Sequence, residues 1–337
     1  MNVYDHIAAN NRSTAVILCA FPVALFVTLL LFSLLLGKFN VLPLAELGIS
    51  KTGALSQALA VTLWVFPWIF LAAFLWIAFS YYRGGAMILG MTNARPITLE
   101  ENRDLFRLVE NTAIMAGLPT PEIYLIEDES MNAFATGRKP EEASVALTSG
   151  IVKKLNKAEL QAVIAHELAH IGNRDTRLMM IIIAGIGCFT FFGELLCNVA
   201  RGGRSNRGVV RTGILFMVGV ACLVFGYVVA PILRFALSRR REYQADATAV
   251  KITRAPEPLE RALSKIAVNP RVDVLGECPL VGNMCIANPA QAGGRISFES
   301  RLYATHPPIE DRIAALRKMM GADTESRTKA SVGRAVW

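Results

Sequence analysis

"VIAHELAHIGNRD" (residues 163–175) holds two of the four histidines in a chain of 337 residues, four positions apart, with a glutamate directly after the first. Asn156 is a good N-cap with Glu159 three residues on, so the spacing predicts a helix over "NKAELQAVIAHELAHIG". On a helix, residues four apart project from one face about one turn apart. His166 and His170 can therefore bind one tetrahedral zinc ion. Glu167 is rotated by about 100° from His166, beside the metal rather than on it. Zinc lowers the pKa of water toward about 7, and a carboxylate there can take the proton at neutral pH. Small Ala165 and Ala169 leave room around the ion. The plain alternative is a surface helix with two solvated histidines. The scarcity of histidine and the helical context of H-E-x-x-H argue for the metal.

A catalytic zinc needs a third protein ligand and one open position. "REYQADA" (241–247) offers it: Glu242 as ligand, and Asp246 one turn on to accept the free N–H of a metal-bound imidazole. The alternative for this pair is a solvated helix face paired with Arg239–Arg241. "ATHPPIEDRIAALRKM" (304–319) is the third constellation. Pro307 suits the first turn of a helix with His306 near its cap. Glu310 and Asp311 lie at the positive end of that helix, Arg317 and Lys318 at the negative end. His306 there is a candidate donor to a developing oxyanion, or simply a capping histidine.

The composition is that of a membrane protein, 53% hydrophobic and only 18% charged. Residues 15–36 and 58–82 carry no charge, and each is long enough to span a bilayer, which takes about 20 residues. A cleaved signal peptide would have a shorter apolar core and a small-residue cleavage site, which "GKFNVLPLAELG" does not offer. Further apolar runs cover 178–193, broken by Glu194, and 213–233. The net charge of +8 fits flanking charges of membrane spans. No zinc-finger spacing, recognition helix or aromatic–basic stripe points to nucleic acid. Lys and Arg concentrate in 83–177 and 239–337, which predicts both termini and the polar part on the cytoplasmic side. Four arginines in the 201–212 link oppose that simple topology, so the 178–238 hairpin reads as either transmembrane or re-entrant.

The domains expected are therefore an N-terminal membrane region (1–83), a catalytic domain in two parts (84–177 and 239–320), the apolar hairpin between them (178–238), and a disordered tail (321–337). Within the first catalytic part, Thr98 and Glu101 have capping-box spacing for a helix over 98–119, stopped by Gly117 and Pro119. Strands are expected at 121–126 and 143–152, with "NAFATGRKP" between them as a loop. A substrate could add as an extra strand along "SVALTSGIV" if that edge is open. Four of the six cysteines lie in apolar runs, and Cys278 with Cys285 is a weak metal pattern.

"HELAHIGNRD", "EYQADATA", "NAFATG" and "THPPIEDRI" together resemble, in order and context, the HtpX-type membrane zinc metalloproteases, bacterial relatives of the CAAX prenyl proteases. The resemblance covers nearly the whole chain. It implies a mainly α integral membrane protein with a gluzincin-like α+β core, a small β-sheet, two N-terminal transmembrane helices and an inserted apolar hairpin. It also implies one catalytic zinc ion on His166, His170 and Glu242, with Glu167 as general base and acid. His306 would stabilise the tetrahedral intermediate, Asn132 would contact the substrate backbone, and Arg312 would be a structural or electrostatic arginine. The implied substrates are membrane or misfolded proteins, cleaved at the cytoplasmic face of a bacterial inner membrane. A CAAX-type processing protease and a non-catalytic zinc-stabilised scaffold, closed by Cys278 or Cys285, are the rival readings.

Overall fold

A computed structural model describes residues 12, 16, 22–23, 25–34, 53–202, 216–225, 240–268, 285–286 and 307–334. In chain order its elements are α1 (Leu25–Leu34), α2 (Ala54–Met91), β1 (Arg95–Pro96), α3 (Arg103–Ala116), β2 (Glu122–Ile126), β3 (Ala133–Thr136), β4 (Ser144–Thr148), α4 (Ser149–Lys154), α5 (Lys157–Gly172), α6 (Asp175–Gly202), α7 (Phe216–Phe225), α8 (Arg240–Thr253), α9 (Glu257–Val268) and α10 (Ile309–Arg334). The chain divides into two compact units. One takes in Arg83–Met180 and the described residues after 237, the other the described residues of 8–82 and 181–236.

The first unit is built on a four-stranded sheet in the order β1-β2-β4-β3. β2 and β4 run parallel, and the outer pairs are antiparallel. β4 is buried along its whole length and has a strand on either side. It cannot serve as the open edge that "SVALTSGIV" suggested, since both of its ladders are already used. The strand also stops at Thr148 rather than 152. Thr148 Oγ1 accepts the N–H of Ile151 at 3.3 Å and starts α4. Gly150 follows, where a Cβ would lie 2.2 Å from the carbonyl oxygens of Glu129 and Ser130, so the turn closes only without a side chain.

The strand outside β4 is β3, a buried outer strand formed by "AFAT" within the stretch expected to be a loop. Thr148 donates its N–H to the Asn132 carbonyl at 3.0 Å. With the register Ala133↔Leu147, alternation then turns the N–H and C=O of Ala133 and Ala135 away from β4. Ile286 donates its N–H to the Ala133 carbonyl at 2.9 Å on that outer side.

α3 starts later than its capping-box spacing suggested. Glu101 is drawn to Arg95 instead of reaching back to Thr98, and Asn102 Oδ1 caps Leu105 N–H at 3.0 Å. Gly117 stops the helix with φ +69°, in the left-handed region that glycine tolerates. α5 has the expected capping box, with Asn156 and Glu159 exchanging hydrogen bonds at 3.0 Å. It lies at the centre of the unit, buried around its whole circumference over residues 162–169. Val109, Val145, Leu147, Val163, Leu168 and Leu263 belong to the one core cluster that joins sheet, α3, α5 and α9. The stretch after 320, expected as a disordered tail, continues α10 to Arg334; no proline interrupts it.

The second unit is apolar. Leu25, Leu29, Ala73, Phe189, Ala221 and Phe225 form its core. Phe26 packs edge-on against Phe66 at 5.2 Å, and Phe189 meets Phe225 at 4.5 Å. α6 and α7 touch through their backbones: a Cβ on Gly219 would lie 2.9 Å from the Gly193 carbonyl oxygen. α6 passes Glu194 without a break and leaves its side chain exposed, because a helix surface tolerates one carboxylate. Among the described residues Leu55–Met91 is the one helix long and apolar enough to cross a membrane. Trp64, Trp68, Phe74, Leu75 and Phe79 stand exposed along it, an apolar face of the kind that lipid covers. It contains the expected 58–82 run. Of the expected 15–36 span, the described stretch 25–34 is helical. The 203–215 link, most of the 213–233 run and the 270–300 stretch apart from 285–286 lie outside the described residues.

Candidate metal centre

His166 and Glu167 are buried on α5, and His170 one turn later opens partly to solvent. α8 packs along α5 and brings Glu242 opposite them. His166 Nε2 and His170 Nε2 converge to 3.2 Å. Two nitrogens bound to one tetrahedral zinc at about 2.0–2.1 Å stand roughly 3.3 Å apart. Glu242 places Oε2 3.6 Å from His166 Nε2 and Oε1 3.6 Å from His170 Nε2. Ligand atoms of these three residues, and of no other described group of His, Cys, Asp and Glu, lie within 4.8 Å of one another. Two imidazoles and one carboxylate at this spacing fit zinc and leave a fourth position open. Burial, and after it the charge of nearby Glu167, raises the Cys285 thiol pKa, but Cys285 does not join the group. Cys278 lies outside the described residues.

Behind each imidazole stands a carboxylate. His166 Nδ1 lies 3.0 Å from Asp246 Oδ1, on the same face of α8 as Glu242. Asp246 also accepts from Arg312 of α10, at 2.9 Å from Nε and 2.6 Å from Nη2. Arg312 is wholly buried and donates from Nη1 to the Ile286 carbonyl at 3.0 Å. His170 Nδ1 lies 3.0 Å from Asp175 Oδ2, at the first residue of α6. Hydrogen-bonding Nδ1–H in this way fixes the tautomer that leaves Nε2 for a metal.

The electrostatics split the two histidines. Burial and the Arg312 guanidinium push the His166 pKa down to about 4, against the pull of Asp246. Burial also opposes charge on His170, but Asp175, Glu242 and Glu167 outweigh it and raise that pKa to about 9. Burial works against the Asp246 carboxylate too, yet Arg312 and His166 bring it down to about 2. His166, His170 and Glu242 would hold a divalent cation through Nε2, Nε2 and the carboxylate, and its binding would release any proton carried on Nε2.

Of the residues singled out in the sequence, the fold brings together His166, Glu167, His170, Glu242, Asp246 and Arg312. Asn132 is buried at the start of β3, its Oδ1 accepting the N–H of Ala133 at 3.0 Å. His306 lies outside the described residues; α10 starts just after it, at Ile309 behind the two prolines. Sequence reading missed Asp175, although it closes the very stretch that carries the histidines. The signal was a carboxylate five residues after His170 with Arg174 before it. That spacing joins the two side chains only because Arg174 adopts φ +59° and turns the chain back.

The profile of "Peptidase family M48" matches residues 99–320. The chain is 36% identical over 317 residues to "Protease HtpX homolog" of Bacteroides fragilis, covering 92% of this chain and 96% of the relative. It is 35% identical over 316 residues to the protein of the same name from Dictyoglomus thermophilum, covering 94% of each. Among solved structures, S. mikatae Ste24p aligns with a TM-score of 0.44 at 23% identity, over 74% of this chain and 58% of that one.

Proposed function

The chain belongs to peptidase family M48, and on that premise we propose that it is a membrane-embedded zinc endopeptidase acting on membrane or misfolded proteins. The observation that carries this reading is the convergence of His166 Nε2, His170 Nε2 and Glu242 around one point, with Glu167 on the next position of the same helix. A zinc ion held there supplies a Lewis acid for the scissile carbonyl and for water. Glu167 takes the proton of the attacking water and passes it to the leaving amine. Asp246 and Asp175 keep the imidazole Nδ1–H groups engaged and Nε2 directed at the ion. His306 donates to the oxyanion. Arg312 keeps Asp246 ionised in a buried setting.

The substrate is an extended peptide that pairs with the outer edge of β3 next to α5, where the outward N–H and C=O of Ala135 continue the sheet. Backbone pairing makes few demands on side chains, which suits an enzyme that clears damaged proteins. Asn132 orders this edge by holding the N–H of Ala133. The enzyme is multi-pass in a bacterial inner membrane, with the first unit on the cytoplasmic side and α2 among its spans.

The test is metal content and proteolysis of the full chain in detergent. Wild type should carry one zinc and cleave an unfolded protein substrate and itself. Glu167→Gln should keep the zinc and stay intact, and Glu242→Ala should lose the zinc. Cleavage by a clean Glu167→Gln preparation, or full zinc in Glu242→Ala, would overturn these assignments.

A further inference from the structure

The two histidines are backed by the same kind of device, a carboxylate that itself faces an arginine. His166 leans on Asp246, which is paired with Arg312. His170 leans on Asp175, and Asp175 Oδ1 faces Arg241 Nε at 3.7 Å. The Arg241 side chain is mostly buried. Its Nη1 is buried with no hydrogen-bond partner among the described residues. Arg241 also directly precedes Glu242, the third member of the metal-facing group.

Asp175 is held where it is by its surroundings. Arg174 adopts a left-handed φ of +59°, which costs a non-glycine residue energy and persists only when the neighbourhood demands it. The next residue, Thr176, is buried and donates to the Gly137 carbonyl at 2.8 Å, tying the first turn of α6 to the loop after β3. Asp175 is the first residue of α6. In sequence, Asp175 and Arg241 lie on either side of the apolar insertion. The chain leaves the catalytic unit through α6 and returns to it at α8.

We propose that Asp175 and Arg241 are a positioning pair for the metal centre. Arg241 steadies the Asp175 carboxylate, Asp175 fixes the His170 imidazole, and the same ion pair draws the returning end of the insertion, with Glu242, up to the departing end. His170 and Glu242 are thereby kept in register by a contact that bridges the membrane-directed excursion between them. The inference rests on the metal reading above and adds to it which residues set the affinity of the site.

The experiment uses the full chain in detergent, with zinc affinity measured by competition against a chelator and the visible spectrum of the cobalt-substituted protein. Arg241→Ala should weaken zinc binding by about tenfold, the low end of the range for loss of an outer partner of a metal ligand, because it acts on His170 through its ion pair with Asp175. It should also shift the cobalt bands while leaving the circular dichroism of the metal-free protein unchanged. Arg241→Lys should recover most of the affinity, which a purely volumetric role for the side chain would not require. Asp175→Asn combined with Arg241→Ala should lose little more than Asp175→Asn alone, because both act through one chain of contacts. Zinc affinity within twofold of wild type in folded Arg241→Ala, or fully additive losses in the double variant, would overturn the proposal. If Arg241→Ala does not fold, Arg241→Gln removes the charge at similar volume and is read by the same criteria. Failure of the parent reading looks different: wild type itself would then hold no stoichiometric zinc, or Glu242→Ala would hold as much.

Discussion

The two flanks of the metal centre differ in how they are built. On the His166 side, Asp246 and a fully buried Arg312 meet at 2.6 and 2.9 Å. On the His170 side, Arg241 stands 3.7 Å from Asp175, and His170 itself is partly open to solvent. The first flank joins α5, α8 and α10, elements far apart in sequence, so it is an expression of the whole unit's packing. The second is set by a single turn between α5 and α6 and by the return of the chain at α8. The contrast teaches that one histidine is oriented by the core and the other by the attachment of the apolar insertion. The first flank should govern folding, and the second should govern how well the site holds its ion.

The largest effect should come from Arg312→Met, which strands a buried Asp246 without its counter-charge. Removing one partner of a buried pair costs about 3–5 kcal/mol, and denaturant unfolding of the metal-free protein should register it. Asp175→Asn should barely move that unfolding curve and yet lower zinc affinity by about tenfold or more. Equal unfolding losses for the two variants would erase the distinction between the flanks. Acid sharpens it further. Asp246 has a pKa of about 2 in the folded chain, below its unfolded value, so its contribution is full above the ordinary carboxylate range. That contribution drains away as pH falls toward 2. Metal-free wild type should therefore lose stability between about pH 4 and pH 2, and Asp246→Asn should flatten that slope. The smallest signal is chemical. Cys285 is buried and its thiol pKa is raised, so an alkylating reagent at neutral pH should label it only after unfolding. Fast labelling of the native protein would mean that the Ile286 segment leaves Arg312 readily.

Much of this centre was legible in the sequence, for reasons of geometry. His166, Glu167 and His170 are read from helical spacing alone, and Glu242 and Asp246 from a second helix of the same period. The Asn156–Glu159 capping box and the Gly117 stop are local chemistry, and they appear where the residues put them. What escaped was set by partners distant in sequence. "NAFAT" becomes a strand because β4 pairs with it, and nothing in its four-residue core announces that. Thr98 loses its capping role because Glu101 finds Arg95. "SVALT" looks like an edge until β3 is laid beside it. Asp175 needed the left-handed Arg174 to reach His170, and no periodicity encodes that.

The bond from Arg312 to the Ile286 carbonyl and to Asp246 has a consequence in time. A growing chain carries both histidines and Glu242 well before residue 312 is added. Until then Asp246 has no guanidinium to face and the strip at 286 has nothing to hold its carbonyl. Synthesis thus adds Arg312 after every other described residue of this centre, and a chain that has not yet reached it lacks the guanidinium that faces Asp246.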